Sequence, residues 1–173
     1  MSEKPSSVAS FPLLGVEQPL LTPSQLGMLA TNQIAFIGDI VFKLHASTLL
    51  LNPQTRPSVY YDANAQHNCA EAQAKLLRRL LSSDWPLTSD EKGVLRRGRN
   101  CARNGPPRLI GLGTYREASA LEALVGHLYL SDRARLQSLL DALVALLRRG
   151  EDCPGDTGPI DWKAAFWGPE DSE

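Results

Sequence analysis

Two carboxylates stand at positions where a chain ordinarily places apolar side chains. Asp39 lies in AFIGDIVFKL between Ile37, Ile40 and Val41, and Glu122 lies in ASALEALVGHLYL between Leu121 and Leu124. A carboxylate buried without a partner is costly, so each of these needs one. Asp39 has a partner within reach on its own helix: Lys43, four residues on, is spaced for an ion pair on a solvated stripe. Glu122 has none, because the residues three and four away are Ala118, Ser119, Val125 and Gly126. Small residues accompany both acids. Gly38 precedes Asp39 and Gly126 follows Glu122 by one turn, so two helices can approach there closely enough for both carboxylates to share a divalent cation. Hard oxygen donors of this kind suit Mg²⁺, with Mn²⁺ as its substitute.

A second chemical feature is basic. From Arg96 to Arg116 the chain carries Arg96, Arg97, Arg99, Arg103, Arg108 and Arg116 and no acid, across a helix end and a loop rich in glycine and proline. Guanidinium forks and loop amides are suited to phosphate oxygens. The plain alternative is a solvated basic face at a helix C-terminus. The loop has no GxxxxGK[ST] pattern and so is not a nucleotide-binding P-loop, and it has no interleaved aromatics to stack single-stranded bases. Duplex RNA is read by shape and backbone, for which basic loops suffice. The remaining candidates are weaker. His45, His67 and His127 fall on separate helices without metal-protease spacing, and Cys69, Cys101 and Cys153 have no base nearby in sequence.

The elements that must position these residues read as helices. Thr22-Pro23 is an N-cap with proline at the first helical position, and an apolar segment from Ile34 to Leu51 stops at Asn52-Pro53. Helices are expected over 58–67 and 69–82. Thr88 and Glu91 form a capping box that opens another to Asn100. After a loop over 103–113, helices follow from Thr114 to Leu130 and from Asp132 to Leu147. No repeat and no alternating strand pattern is present, so the fold class is all-α, a helical bundle around one core.

The 173 residues, 43% hydrophobic and 21% charged, fit one soluble domain with a core of its own. Net charge is −1, but its distribution is uneven. Residues 151–173 hold seven acids and one base, leaving 17 bases against 12 acids in the other 150 residues, a net of +5. A basic body with an acidic tail fits a polyanionic partner. Three dispersed cysteines exclude a disulfide framework and a zinc ribbon. The N-terminus has no secretory pattern, and no run approaches the roughly 18 consecutive apolar residues of a membrane span, so no membrane partner is expected. The expected organisation is a flexible leader over 1–21, a catalytic domain over 22–149 and an acidic, flexible tail over 150–173. Within that tail Trp162, Phe166 and Trp167 are candidate docking points.

FIGDIVF, followed some 80 residues later by YREASALEALVGHLYL, resembles the catalytic domain of the ribonuclease III family. VLRRGRN, with the AEAQAKLL helix before it, is similar to the Mini-ribonuclease III class, over roughly residues 22–147. The resemblance implies that Asp39 and Glu122 are the catalytic, metal-binding acids. Other ribonuclease III enzymes carry two further acids, at the places held here by Ala35 and Ser119, and Lys43 stands where the Mini class usually has an acid. The resemblance also implies a homodimer with two active sites along one groove, and a Mg²⁺-dependent endoribonuclease that hydrolyses double-stranded RNA to 5′-phosphomonoesters. Its implied substrate is the precursor of 23S ribosomal RNA, in a bacterial cytoplasm rather than a plastid stroma. Arg97, Arg99 and Asn100 are the leading candidates for RNA binding, followed by Arg96, Arg103 and Arg116. The alternative reading is a catalytically silent RNA-binding or ribosome-assembly protein of the same fold, motivated by the acids missing at Ala35 and Ser119.

Overall fold

The computed structural model describes residues 19–101, 110–148 and 160–162. Helix α1 (Pro23–Gly27) begins where the capping chemistry places it: the Thr22 hydroxyl accepts from the Gln25 amide at 3.3 Å, and Gln25 Oε1 accepts from the Thr22 amide at 2.9 Å. Helix α2 (Thr31–Leu50) stops two residues before Asn52-Pro53, and α3 (Pro57–His67) opens on proline in its first turn. Helix α4 spans Ala70–Leu81. Helix α5 (Ser89–Cys101) is opened by a reciprocal box in which the Glu91 amide donates to Thr88 Oγ1 at 3.1 Å and the Thr88 amide donates to Glu91 Oε2 at 2.8 Å. Helix α6 (Leu112–Ser131) starts ahead of the expected Thr114, because Gly111 in extended conformation already takes the N-cap place. Helix α7 (Arg133–Arg148) closes the series, and no strand occurs among the described residues.

Helix α6 is the hub, packed on by α2, α5, α4 and α7. Its Ala120, Leu121, Ala123, Leu124 and Val125 are fully enclosed, and the core continues through Leu77 and Leu80 of α4, Leu95 of α5 and Leu139, Leu140 and Leu143 of α7. By length and hydropathy alone α2 matches a membrane span. In the fold, one face of it (Ala35, Gly38, Phe42, Ala46) packs inward, while Phe36, Ile40 and Leu44 form an exposed apolar row on another.

Two ion pairs brace this arrangement. Arg135 of α7 grips both oxygens of the buried Glu91 carboxylate, at 2.7 and 2.9 Å, and lies over the Trp85 ring. Burial pushes the Glu91 carboxyl up, but the hydrogen bonds and charge of Arg135, with those of Thr88, outweigh it and hold the group below its usual value. Arg78 of α4 pairs at 2.6 Å with the buried Glu117 of α6, whose other oxygen accepts from the Ile160 amide at 3.0 Å. That bond seats the C-terminal segment. Ile160 packs against the core and Trp162 is part of it, only 8% exposed. At this point residues 160–162 are docked on the body, and Trp162 is one of the docking points the sequence offered. The other residues of the expected tail, 150–159 and 163–173, lie outside the described set, as do residues 1–18 of the leader and most of the 103–113 loop. Leu21 is already tied to the body, donating its amide to the Leu130 carbonyl at 2.7 Å.

Candidate active site

Asp39 and Glu122 are brought together by a glycine-on-glycine helix crossing. A Cβ on Gly38 would lie 1.8 Å from the Glu122 carbonyl oxygen and 2.6 Å from the Gly126 nitrogen. A Cβ on Gly126 would lie 2.0 Å from the Ile34 carbonyl oxygen. The backbones of α2 and α6 therefore touch directly, and only the absence of both side chains permits it. Asp39, next to one contact residue, and Glu122, one turn from the other, line a single open cleft of about 890 Å³.

The electrostatics of the cleft follow from this approach. Burial pushes the Glu122 carboxyl up to about 7, the nearby charge of Asp39 pushes in the same direction, and Lys43 opposes both. Lys43 also pairs directly with Asp39, its Nζ 2.7 Å from Oδ2, so the ion pair available from sequence spacing is formed. It does not make a separate solvated stripe, because Lys43 and Asp39 both line the cleft with Glu122. The second Asp39 oxygen, Oδ1, accepts from Gln73 Nε2 of α4 at 3.2 Å.

Two carboxylates lining one cleft, one of them raised chiefly by burial and further by the charge of the other, form a donor set that fits a divalent cation. The residues present are hard oxygen donors: Asp39 and Glu122, with the neutral Ser119, Asn68 and Asn100 on the same walls. Among the described residues no cluster of three His, Cys, Asp or Glu is assembled. This agrees with Ala35 and Ser119 standing in the cleft where further acids would be. Mg²⁺ commonly keeps several waters and takes only one or two protein carboxylates, so two suffice chemically.

The basic candidates separate. Arg97 and Asn100 of α5 are exposed and line the same cleft as the acids. Arg99 faces elsewhere: its guanidinium lies 5.1 Å from the Trp162 ring centroid, a cation–π contact with the docked C-terminal segment. Arg96 and Arg116 are half-buried and do not line the cleft, and Arg103 lies outside the described residues. Sequence reasoning missed Gln73, Asn68 and Tyr115, all cleft residues. Gln73 carried a signal, an amide in register with Ala74, Leu77 and Leu80 on the buried face of α4. Asn68 and Tyr115 carried none.

Known proteins share the sequence and the fold of this chain. A family described as "Ribonuclease III domain" matches residues 32–133, which contain both acids and Arg97. Proteins named Mini-ribonuclease 3 are similar over most of their length. The one from Synechococcus sp. is 40% identical over 134 residues, covering 78% of this chain and 93% of that protein. The one from Gloeobacter violaceus is 40% identical over 120 residues, covering 69% and 86%. The one from Staphylococcus aureus is 31% identical over 116 residues, covering 66% and 86%. The X-ray structure of a Fusobacterium nucleatum protein shares the fold, with a TM-score of 0.62 at 20% identity, covering 72% of this chain and 96% of that one.

Proposed function

The chain belongs to the ribonuclease III family and is an endoribonuclease, and we propose that it cleaves double-stranded RNA with a divalent cation, preferably Mg²⁺, held by Asp39 and Glu122. One observation carries the assignment of residues. Two carboxylates from different helices line one cleft together with Arg97 and Asn100 of a third.

The chain's own groups divide the work. Arg97 engages a backbone phosphate by its guanidinium fork, and Asn100 offers a neutral donor and acceptor beside it. Lys43 donates to one oxygen of Asp39 and Gln73 to the other. The α2–α6 crossing fixes Asp39 relative to Glu122, so neither carboxylate has to be brought into place when RNA arrives. The cation, when bound, supplies Lewis-acid chemistry at the phosphate that is cut. Hydrolysis leaving 5′-phosphomonoesters and a stem in the 23S ribosomal RNA precursor as substrate, in a bacterial cytoplasm, complete the reading. Both rest on the resemblance to the Mini class. The exposed row Phe36, Ile40 and Leu44 supports a homodimer formed through α2.

The test is cleavage of a long RNA duplex with Mg²⁺ or with EDTA, wild type beside Asp39→Asn. Mg²⁺-dependent cutting that disappears in the variant while RNA binding persists is the expected result. Binding without cutting, equal in both proteins, would replace this reading with the catalytically silent RNA-binding protein.

A further inference from the structure

Helix α4 buries a face of Gln73, Ala74, Leu76, Leu77 and Leu80, and Gln73 is the one amide in that row, only 2% exposed. Burying an amide costs free energy unless it is hydrogen-bonded, and an apolar side chain would fill the same space without that cost. The Gln73 side chain bonds to Asp39 Oδ1 at 3.2 Å, across 34 residues of sequence and from α4 to α2. The amide nitrogen must be the atom that faces Asp39, because its oxygen would oppose another acceptor.

The two partners of Asp39 are unlike. Lys43 sits on the same helix, its side chain is 47% exposed, and its ammonium is a mobile point charge that competes with any cation for Oδ2. Gln73 is neutral, comes from a different helix and is locked by packing, so it cannot compete as a cation and does not leave. We infer that Gln73 is a positioning residue that fixes the plane of the Asp39 carboxylate toward the cleft, independently of whether Lys43 is engaged. The inference rests on Asp39 being a reaction-centre carboxylate. It supplies what the missing acids at Ala35 and Ser119 leave undone, since among the described residues the cleft has no carboxylate besides Glu122 to help define the orientation of Asp39.

The experiment compares wild type, Gln73→Met, Gln73→Asn, Lys43→Met and Asp39→Asn. For each, three quantities are measured: Mn²⁺ binding to the RNA-free protein by water-proton relaxation, the melting temperature, and kcat and KM on an RNA duplex with Mg²⁺. Outer partners of metal-binding side chains typically carry about 10- to 100-fold in affinity or activity. Gln73→Met is expected to melt no lower than wild type, to weaken Mn²⁺ binding by about 10-fold or more and to lower kcat similarly, with KM for RNA unchanged. Gln73→Asn, which keeps the amide but withdraws it by one methylene, is expected to fall with it. Lys43→Met is expected to move Mn²⁺ binding the opposite way, because an internal competitor is gone. A Gln73→Met protein with wild-type Mn²⁺ affinity and kcat would overturn the inference, as would loss of melting temperature alone. If Asp39→Asn is inactive in that same experiment, the proposed function survives the failure; if Asp39→Asn is fully active, it is that reading which has failed.

Discussion

Replacing Gly38 by alanine gives a prediction whose sign opposes the local rule. In a helix interior, Gly→Ala ordinarily stabilises by roughly 0.5–1 kcal/mol, because alanine loses less backbone entropy. At Gly38 the new Cβ would meet the Glu122 carbonyl oxygen at 1.8 Å, about 1.6 Å short of the 3.4 Å at which ordinary contact begins. All three nearest atoms belong to the backbone of α6, so no side chain can rotate away, and the helices must separate or the crossing must slide. Overpacking of a well-filled core costs about 1–3 kcal/mol, and a clash between backbones belongs at or above the top of that range. For a chain of this size about 3 kcal/mol lowers Tm by roughly 6–12 °C. The same displacement parts Asp39 from Glu122, and a shift of about 1 Å at a reacting centre can cost about 10²-fold in rate. The assay is a circular-dichroism melt paired with single-turnover cleavage of an RNA duplex, run well below the lower Tm. Gly113→Ala in α6 is the control: nothing lies within 4 Å of its added Cβ, so it should be neutral or stabilising by up to about 1 kcal/mol. A Gly38→Ala protein that melts at or above wild type and cleaves at full rate would refute the crossing as the device that holds the two acids together.

Two further outcomes test other parts of the structure. Trp162→Ala should lower the denaturant midpoint by the equivalent of about 3 kcal/mol, the lower end for a buried aromatic, since the short segment carrying it can also detach; an unchanged midpoint would mean that residues 160–162 contribute nothing to the core. Sedimentation at micromolar concentration should give twice the 18.9 kDa chain mass for wild type and a single-chain mass for Ile40→Asp, which places a charge in the exposed apolar row of α2; a single-chain mass for wild type would remove the homodimer.

The helices were legible because their punctuation is chemical. Thr22-Pro23, Asn52-Pro53 and the Thr88–Glu91 box each leave a mark in sequence that does not depend on tertiary contacts, and each stands at a boundary in the fold. The pairing of Asp39 with Glu122 was legible for a similar reason, since an acid among leucines is conspicuous, and so were the glycines that let α2 meet α6. What could not be read was direction. Spacing placed Arg97, Arg99 and Asn100 within one short stretch, but a helix turns by about 100° per residue, so neighbours face different ways. Arg97 and Asn100 reach the cleft, while Arg99 lies on Trp162, a residue 63 positions further on whose docking no local pattern announces. The choice between an ion pair and a metal site at Asp39 was equally beyond local spacing. The fold makes the pair and sets it inside the cleft, so the ion pair and the proposed cation site share one carboxylate.

That coincidence bears on how a site with few acids can work. A cluster of several carboxylates orients itself around a cation, because each ligand restrains the others. With Asp39 and Glu122 the two acids lining this cleft among the described residues, orientation has to come from groups that are not ligands of the charge. Here it comes from a backbone contact that tolerates no Cβ, a buried amide on one oxygen of Asp39 and a displaceable ammonium on the other. The raised Glu122 carboxyl is the electrostatic trace of the same economy: it is largely out of water and near a second negative charge, so a cation bound at the proposed site would relieve both costs.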